Sequence, residues 1–232
     1  MRISIVIIFL SICLPSQGQK LSAGLESGYG FYNMSSLRQK ETIVGGNIIP
    51  YKNVQNFPAT PFVRGFVRVQ IRNIWSTGMT LGYLRTGSRS AYSDYSGTAY
   101  RDVVVNGFLA GSSNLFQVYT TGNYLVNARI NIGALFNSTN FQHSINLHDP
   151  TYSEDRRSKF TSINSYFSFG ADVSRTLGRF ALVLFVEYEF NVSGEPKLKS
   201  SIFSTPPPAD FDVDWSGVRA GVSCAFQFHK EP

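Results

Sequence analysis

The chain has three histidines, and two of them, His143 and His148, lie beside a run of acidic residues. His143 and His148 with Asp149, Glu154 and Asp155 have the donor types of a divalent-metal site. Ser144 beside His143 has the residue types of a nucleophile and its base. Neighbours on a strand point to opposite faces, so His143 and Ser144 pair only if this stretch is a loop. The plainer reading, a solvated outer loop, is preferred for both. Gly24, Gly28 and Gly30 lack the loop context of a phosphate cradle and read as close packing within a strand. Tyr92 and Tyr95, with Tyr100 nearby, form an aromatic patch suited to a carbohydrate or protein partner, or to capping a packed loop. Cys224 reads as a small apolar residue. The expectation is a chain with no catalytic residues, no metal ligands and no cofactor, and so not an enzyme.

The other ionisable residues are placed differently. Arg64, Arg68, Arg129 and Arg219, with Glu26, Asp102, Asp172, Glu187 and Glu189, fall on the polar side of alternating segments. Carboxylates and guanidiniums enclosed together must pair, because an uncompensated buried ion costs several kcal/mol, roughly. Arginine's planar fork can bridge two carboxylates. These nine residues are read as a structural network filling a narrow lumen. A gated ion path is the sharper alternative.

Eight alternating segments must position them. Val218 to Phe228 is one, with Val218, Ala220, Val222, Cys224, Phe226 and Phe228 on one side and Arg219, Gly221, Ser223, Ala225 and Gln227 on the other. The seventh sets Phe180, Leu182, Leu184, Val186, Tyr188 and Phe190 against Ala181, Val183, Phe185, Glu187 and Glu189. The second, third, fifth and sixth alternate likewise. The first (Leu21 to Asn33) and fourth (Tyr100 to Val118) do so less cleanly. Short turns near Asn73, at Thr121–Asn123 and at Leu177–Gly178 alternate with long polar connections: Asn33–Thr60, Gly87–Gly97, Ser138–Lys159 and Asn191–Asp214. The fold class expected is all-β: a closed eight-stranded antiparallel transmembrane β-barrel with up-and-down topology.

Alternation does not say which side faces in. The polar side holds Gly, Ser, Asn and scattered ions, almost without lysine, and is a poor water-facing exterior. Aromatics gather at the ends of the apolar stripes: Trp75, Tyr83, Tyr124, Phe136, Phe180, Tyr188, Phe190, Phe226 and Phe228. These are read as lipid-facing girdles. Closure also removes strand edges that lipid cannot satisfy.

Residues 1–18 have the layout of a cleaved signal peptide: Arg2, an apolar run over Ile3 to Cys13, then Ser16-Gln17-Gly18. Residues 19–232 are assigned to the barrel domain. Charged residues make up only 16% of the chain and aromatics 14%, while mean hydropathy is −0.07, which hides spanning strands because every apolar residue alternates with a polar one. The net charge of +6 admits nucleic acid, which export excludes.

Two stretches carry a family resemblance. They are Gly87-Ser88-Arg89-Ser90-Ala91-Tyr92-Ser93-Asp94-Tyr95-Ser96-Gly97 and Asp214-Trp215-Ser216-Gly217-Val218-Arg219-Ala220-Gly221-Val222-Ser223. The chain resembles the small eight-stranded outer-membrane β-barrel proteins of the Bacteroidetes type. The family's terminal aromatic is slightly internal here, since His229-Lys230-Glu231-Pro232 follows Phe228. The resemblance implies an integral protein of the cell outer membrane of a Gram-negative bacterium; the alternation of short turns and long connections over an even number of strands implies periplasmic termini and extracellular long loops. The resemblance implies no activity. The partners expected are outer-membrane lipids and lipopolysaccharide, the barrel-assembly machinery, and a larger outer-membrane complex in which the chain is a structural or accessory subunit. Adhesion through the long loops and lipid A modification are the alternatives.

Overall fold

A computed structural model describes residues 20–37, 57–148, 153–202 and 211–228. Residues 1–18, read from the sequence as a signal peptide, the tail after Phe228, most of the Asn33–Thr60 connection, Asp149 and Pro206–Pro208 lie outside the described residues.

The alternating segments form strands β1 (Leu21–Tyr32), β2 (Thr60–Arg72), β3 (Trp75–Asp94), β4 (Gly97–Thr121), β5 (Tyr124–Leu147), β6 (Ser153–Leu177), β7 (Phe180–Val192), β8 (Lys197–Ser201) and β9 (Gly217–Phe228). All their pairings are antiparallel. Sequential neighbours pair from β1 to β7, β9 pairs with both β7 and β1, and the β5–β6 ladder completes a closed ring. The short β8 stands outside that ring, so eight of the nine strands make the barrel. The tight turns fall at Asn73–Ile74, Gly122–Asn123 and Gly178–Arg179. Gly122 (φ 54°) and Gly178 (φ 63°) take the left-handed conformation that such turns require.

Two of the stretches read as long loops are strand instead. Gly87–Gly97 is the end of β3, the turn Tyr95–Ser96 and the first residue of β4, in register from Asp94↔Gly97 downward. Ser138–Lys159 is mostly the distal part of β5 and β6, paired as far as Asn146↔Ser153. The physical reason is that polar residues dominate both faces there, with only isolated apolar ones such as Phe141. Without a continuous apolar face the hydrophobic period disappears while the backbone ladder continues. β4 and β6 therefore have 25 residues each, against about 9–11 needed to cross a bilayer. The fourth connection likewise contains β8, paired with β6 from Ser158↔Ser201 to Thr161↔Lys197.

The barrel is apolar outside and polar within. Leu25 is 66% exposed and Leu184 60% exposed, and Val67, Leu81, Ile132, Phe169 and Val222 continue the same belt. A water-soluble monomer rarely exposes an apolar patch beyond a few hundred Å². Inward positions instead carry Glu26, Arg64, Arg129, Glu187 and Arg219, all buried. This is a transmembrane β-barrel.

Candidate functional site

The lumen has two storeys, and the lower is ionic. β1 contributes Glu26, β2 Arg64 and Arg68, β5 Arg129, β6 Asp172, β7 Glu187 and Glu189, and β9 Arg219, all at inward positions. Glu26 is the hub. Its Oε2 accepts from Arg64 Nε at 2.7 Å. Its Oε1 accepts from Arg68 Nη2 at 3.0 Å and Arg129 Nη2 at 2.7 Å. Arg64 Nη1 also donates to Glu187 Oε1 at 2.8 Å. Arg219 grips Glu189 with both terminal nitrogens, at 2.6 and 2.7 Å. Arg129 Nη1 stands 3.7 Å from Asp172, which also accepts from Asn127 at 2.7 Å. Four guanidiniums meet four carboxylates, so this storey is neutral. Rings pack on the cations: Arg68 lies over Phe66 at 3.8 Å and Arg129 over Phe185 at 4.4 Å. Below it, towards the short turns, a cavity of about 150 Å³ is lined by both polar side chains, such as Gln70 and Ser174, and apolar ones, such as Leu115 and Val183.

Asp102 is a correction. The alternation reading puts it in the lumen, but inward positions of β4 are odd-numbered. Arg101, Val103 and Val105 point in, whereas Asp102 faces the outer wall in a bidentate pair with Arg89 (2.6 Å to each oxygen). The consecutive Val103-Val104-Val105 makes both registers look equally apolar, which hides the parity of β4.

The upper storey is a hydrophobic plug that alternation does not reveal. Tyr32, Met34, Leu37 and Phe57 pack with Phe211, Val213 and Trp215 against inward Leu84, Val103, Val105, Leu109, Leu135, Phe141 and Phe160. The chain after β1 and the chain before β9 zip together across the mouth. Asn33 N donates to Ser216 O at 2.9 Å, and Asp212 N to Ser36 Oγ at 2.9 Å. Trp215 is fully buried, donates from Nε1 to Asn137 Oδ1 at 2.8 Å, and meets Tyr32 edge-on at 4.8 Å. One signal was available: Phe211-Asp212-Val213-Asp214-Trp215 alternates apolar and acidic, the pattern of an extended segment with one buried side. Beneath the plug, Tyr166 lies across Gly111 and Gly133, where an added Cβ would come within 2.4 Å of Tyr166 Oη and 2.7 Å of its Cε1 respectively.

The girdle candidates all face outward. Tyr83, Tyr124, Phe136, Phe180, Phe190 and Phe228 are largely exposed, with Tyr188, Trp75 and Phe226 more covered by their neighbours. Trp75 stacks on Phe116, and Phe226 sits edge-on to both Phe180 and Phe228. Outward Cys224 is a free thiol.

The candidate chemistry of the distal hairpins comes apart. His143 and Ser144 are neighbours within β5, so they present to opposite faces. His143 shares its side with Arg101, Glu154 and Arg156, and partial burial, then the charge of Arg101, hold its imidazole below the ordinary histidine range. No group of three or more His, Cys, Asp or Glu side chains that could hold a metal occurs among the described residues. At the β3–β4 tip, Ser96 and Tyr92 hydroxyls donate to Asp94 and keep its carboxyl below the usual range. Tyr95 is almost wholly exposed, while Tyr92 and Tyr100 are half-covered.

No protein-family model matches the chain, and no curated protein sequence matches it. Solved structures do. The attachment invasion locus protein Ail of Yersinia pestis, in complex with the heparin analogue sucrose octasulfate, is 13% identical, covering 90% of this chain and 99% of Ail with a TM-score of 0.41. Neisserial surface protein A is 13% identical over 91% of this chain and 98% of its own, TM-score 0.41. A major outer membrane protein of Thermus thermophilus is 12% identical over 91% of this chain and 100% of its own, TM-score 0.48. At these identities the likeness is one of strand layout.

Proposed function

We propose that the chain is an integral protein of the cell outer membrane without catalytic activity, acting as a structural or accessory subunit of a larger outer-membrane complex. The observation that carries the membrane reading is the pairing of an exposed aliphatic belt with a lumen filled by a neutral ion network and a plug. A filled lumen favours a wall over a conduit. The short-turn end, with both chain termini, belongs in the periplasm, and the long β3–β4 and β5–β6 hairpins belong outside the cell. The Bacteroidetes-type assignment rests on the Gly87–Gly97 and Asp214–Ser223 stretches. Blue-native electrophoresis of mild detergent extracts tests the subunit role. Migration with a larger assembly is the expected result, and migration only as a lone monomer refutes it.

A second reading has its own observation. The paired distal strands lift a polar two-hairpin sheet well beyond the apolar belt, and this is more surface than membrane anchoring requires. Surface binding or adhesion through that sheet is the alternative. Trimming Arg89–Asp102 and Gln142–Arg157 to short turns would abolish cell-surface binding while leaving the barrel folded; unchanged binding excludes it.

A further inference from the structure

One feature of the outer wall is not needed to build a barrel. Where β8 lies against β6, a groove of about 750 Å³ opens on the exterior. Its lower margin is apolar: Phe136 and Ile163, directly paired across β5 and β6 and both largely exposed. Its upper margin carries Lys159, Lys197 and Lys199. Among the described residues none of these lysines is ion-paired. Glu195 is the one carboxylate in the lining, so the groove keeps an excess of two positive charges. On the distal strands outward Arg89 is matched by Asp102 and Arg157 by Asp155, while exposed Arg85 on β3 stands alone among the described residues, away from the groove's cluster of three.

Height decides what such a groove meets. Ile163 and Lys159 are four residues apart, about 13 Å along a strand and about 10 Å vertically at ordinary barrel tilt. A bilayer's headgroup zone is about 5–8 Å deep on each side. Lysine stems bend towards the interface, which lowers the ammonium groups into that zone. The groove therefore sets hydrocarbon-facing side chains directly beneath unpaired ammonium groups at headgroup level.

We propose that this groove seats a phosphorylated glycolipid of the outer leaflet, with its headgroup phosphates on Lys159, Lys197 and Lys199 and an acyl chain along Phe136 and Ile163. The inference rests on the membrane placement proposed above. The three lysines face a bisphosphorylated sugar headgroup, and Glu195 opposes it.

The test is native mass spectrometry of the folded barrel titrated with bisphosphorylated lipid A, fully dephosphorylated lipid A or inorganic phosphate. The K159Q/K197Q/K199Q variant should bind bisphosphorylated lipid A at least tenfold more weakly, given about fivefold per charge near a lipid surface. Its binding of the dephosphorylated form should not change. E195Q should bind the phosphorylated form several-fold more tightly, an opposite shift that poor folding cannot mimic. Unchanged affinity in the triple variant overturns the proposal, as does equal loss for both lipids. Full competition by inorganic phosphate also overturns it, because a bare anion site needs no lipid. Failure of the wild-type barrel to insert into lipid nanodiscs overturns the placement itself, and is distinct from an inserted barrel that ignores lipid A.

Discussion

Glu26→Gln tests the ionic storey most sharply. The substitution keeps the side chain's shape and removes one charge from a carboxylate that three arginines share: Arg64 at 2.6 Å, Arg68 at 3.0 Å and Arg129 at 2.7 Å. The balance of four against four becomes four against three, and an amide NH₂ is turned towards guanidiniums that have nothing to accept with. Breaking a buried ion pair from one side costs about 3–5 kcal/mol. With a urea slope of about 2 kcal/mol per molar, the midpoint should fall by about 1.5–2.5 M. The assay is urea unfolding in lipid vesicles, followed by tryptophan fluorescence and by loss of the compact band in unheated electrophoresis. Arg68→Gln is the natural second change, because its other polar contact is a single hydrogen bond to Ser113 at 3.0 Å. E26Q/R68Q restores neutrality and should recover part of the loss, with a coupling of about 1.5–3 kcal/mol. Asp102→Asn is the control: its partner Arg89 is solvent-exposed, so the midpoint should stay where it is. An E26Q midpoint within error of wild type, or strict additivity in the double variant, would refute the view that the lumen is held by mutual neutralisation.

Three further outcomes follow from the same geometry. Leu184→Arg places a charge on the exposed belt and should cost about 2–4 kcal/mol in vesicle unfolding if that position lies near the bilayer centre; no cost would place β7 elsewhere. Trp215→Ala removes the centre of the plug and its bond to Asn137, and should cost about 3–5 kcal/mol and raise hydrogen exchange over 211–216, with unchanged exchange counting against a packed plug. His143 is held below its ordinary range by burial and by Arg101, so the unfolded distal strands take up a proton more readily than the folded ones. Stability there is full above about pH 6.5 and falls as pH drops through the folded-state value. Protection over 138–147, taken relative to the intrinsic exchange rate at each pH, should therefore fall as pH drops from 7.5 to 5 in wild type and much less in H143Q, and identical profiles would remove His143 as the cause.

Strand number and closure are legible because, within the belt, the strands set apolar residues against polar ones; the inside-out sense is legible from the lysine-poor polar side and the aromatics at the ends of the apolar stripes. The apolar–polar rule also locates seven of the eight members of the neutral network unambiguously, on segments such as Phe180–Phe190 where alternation is strict; Glu26 lies on a strand of weaker pattern. It fails where its premise fails. Above the belt the outer faces of β3 to β6 turn polar and the inner faces mix polar residues with isolated apolar ones such as Phe141, so Ser138–Lys159 reads as loop although its backbone ladder is unbroken. Asp102 is misplaced because Val103-Val104-Val105 offers no contrast between faces. The plug escapes notice for a third reason. Phe211, Val213 and Trp215 bury themselves against residues far along the chain, such as Asn137 and Tyr32, and no local period reports a tertiary partner. Lys197 and Lys199 read only as loop lysines, because their meeting with Lys159 depends on the β6–β8 pairing.

The central claim is that the apolar belt touches hydrocarbon. It is tested most directly by a spin label on Leu184→Cys, in a Cys224→Ser background, in lipid vesicles, with collision rates measured for oxygen and for a water-soluble nickel chelate. The account predicts frequent oxygen collisions and almost none with the chelate, and the reverse for a label on Lys199→Cys. A label at position 184 that the chelate reaches as freely as in water would contradict it.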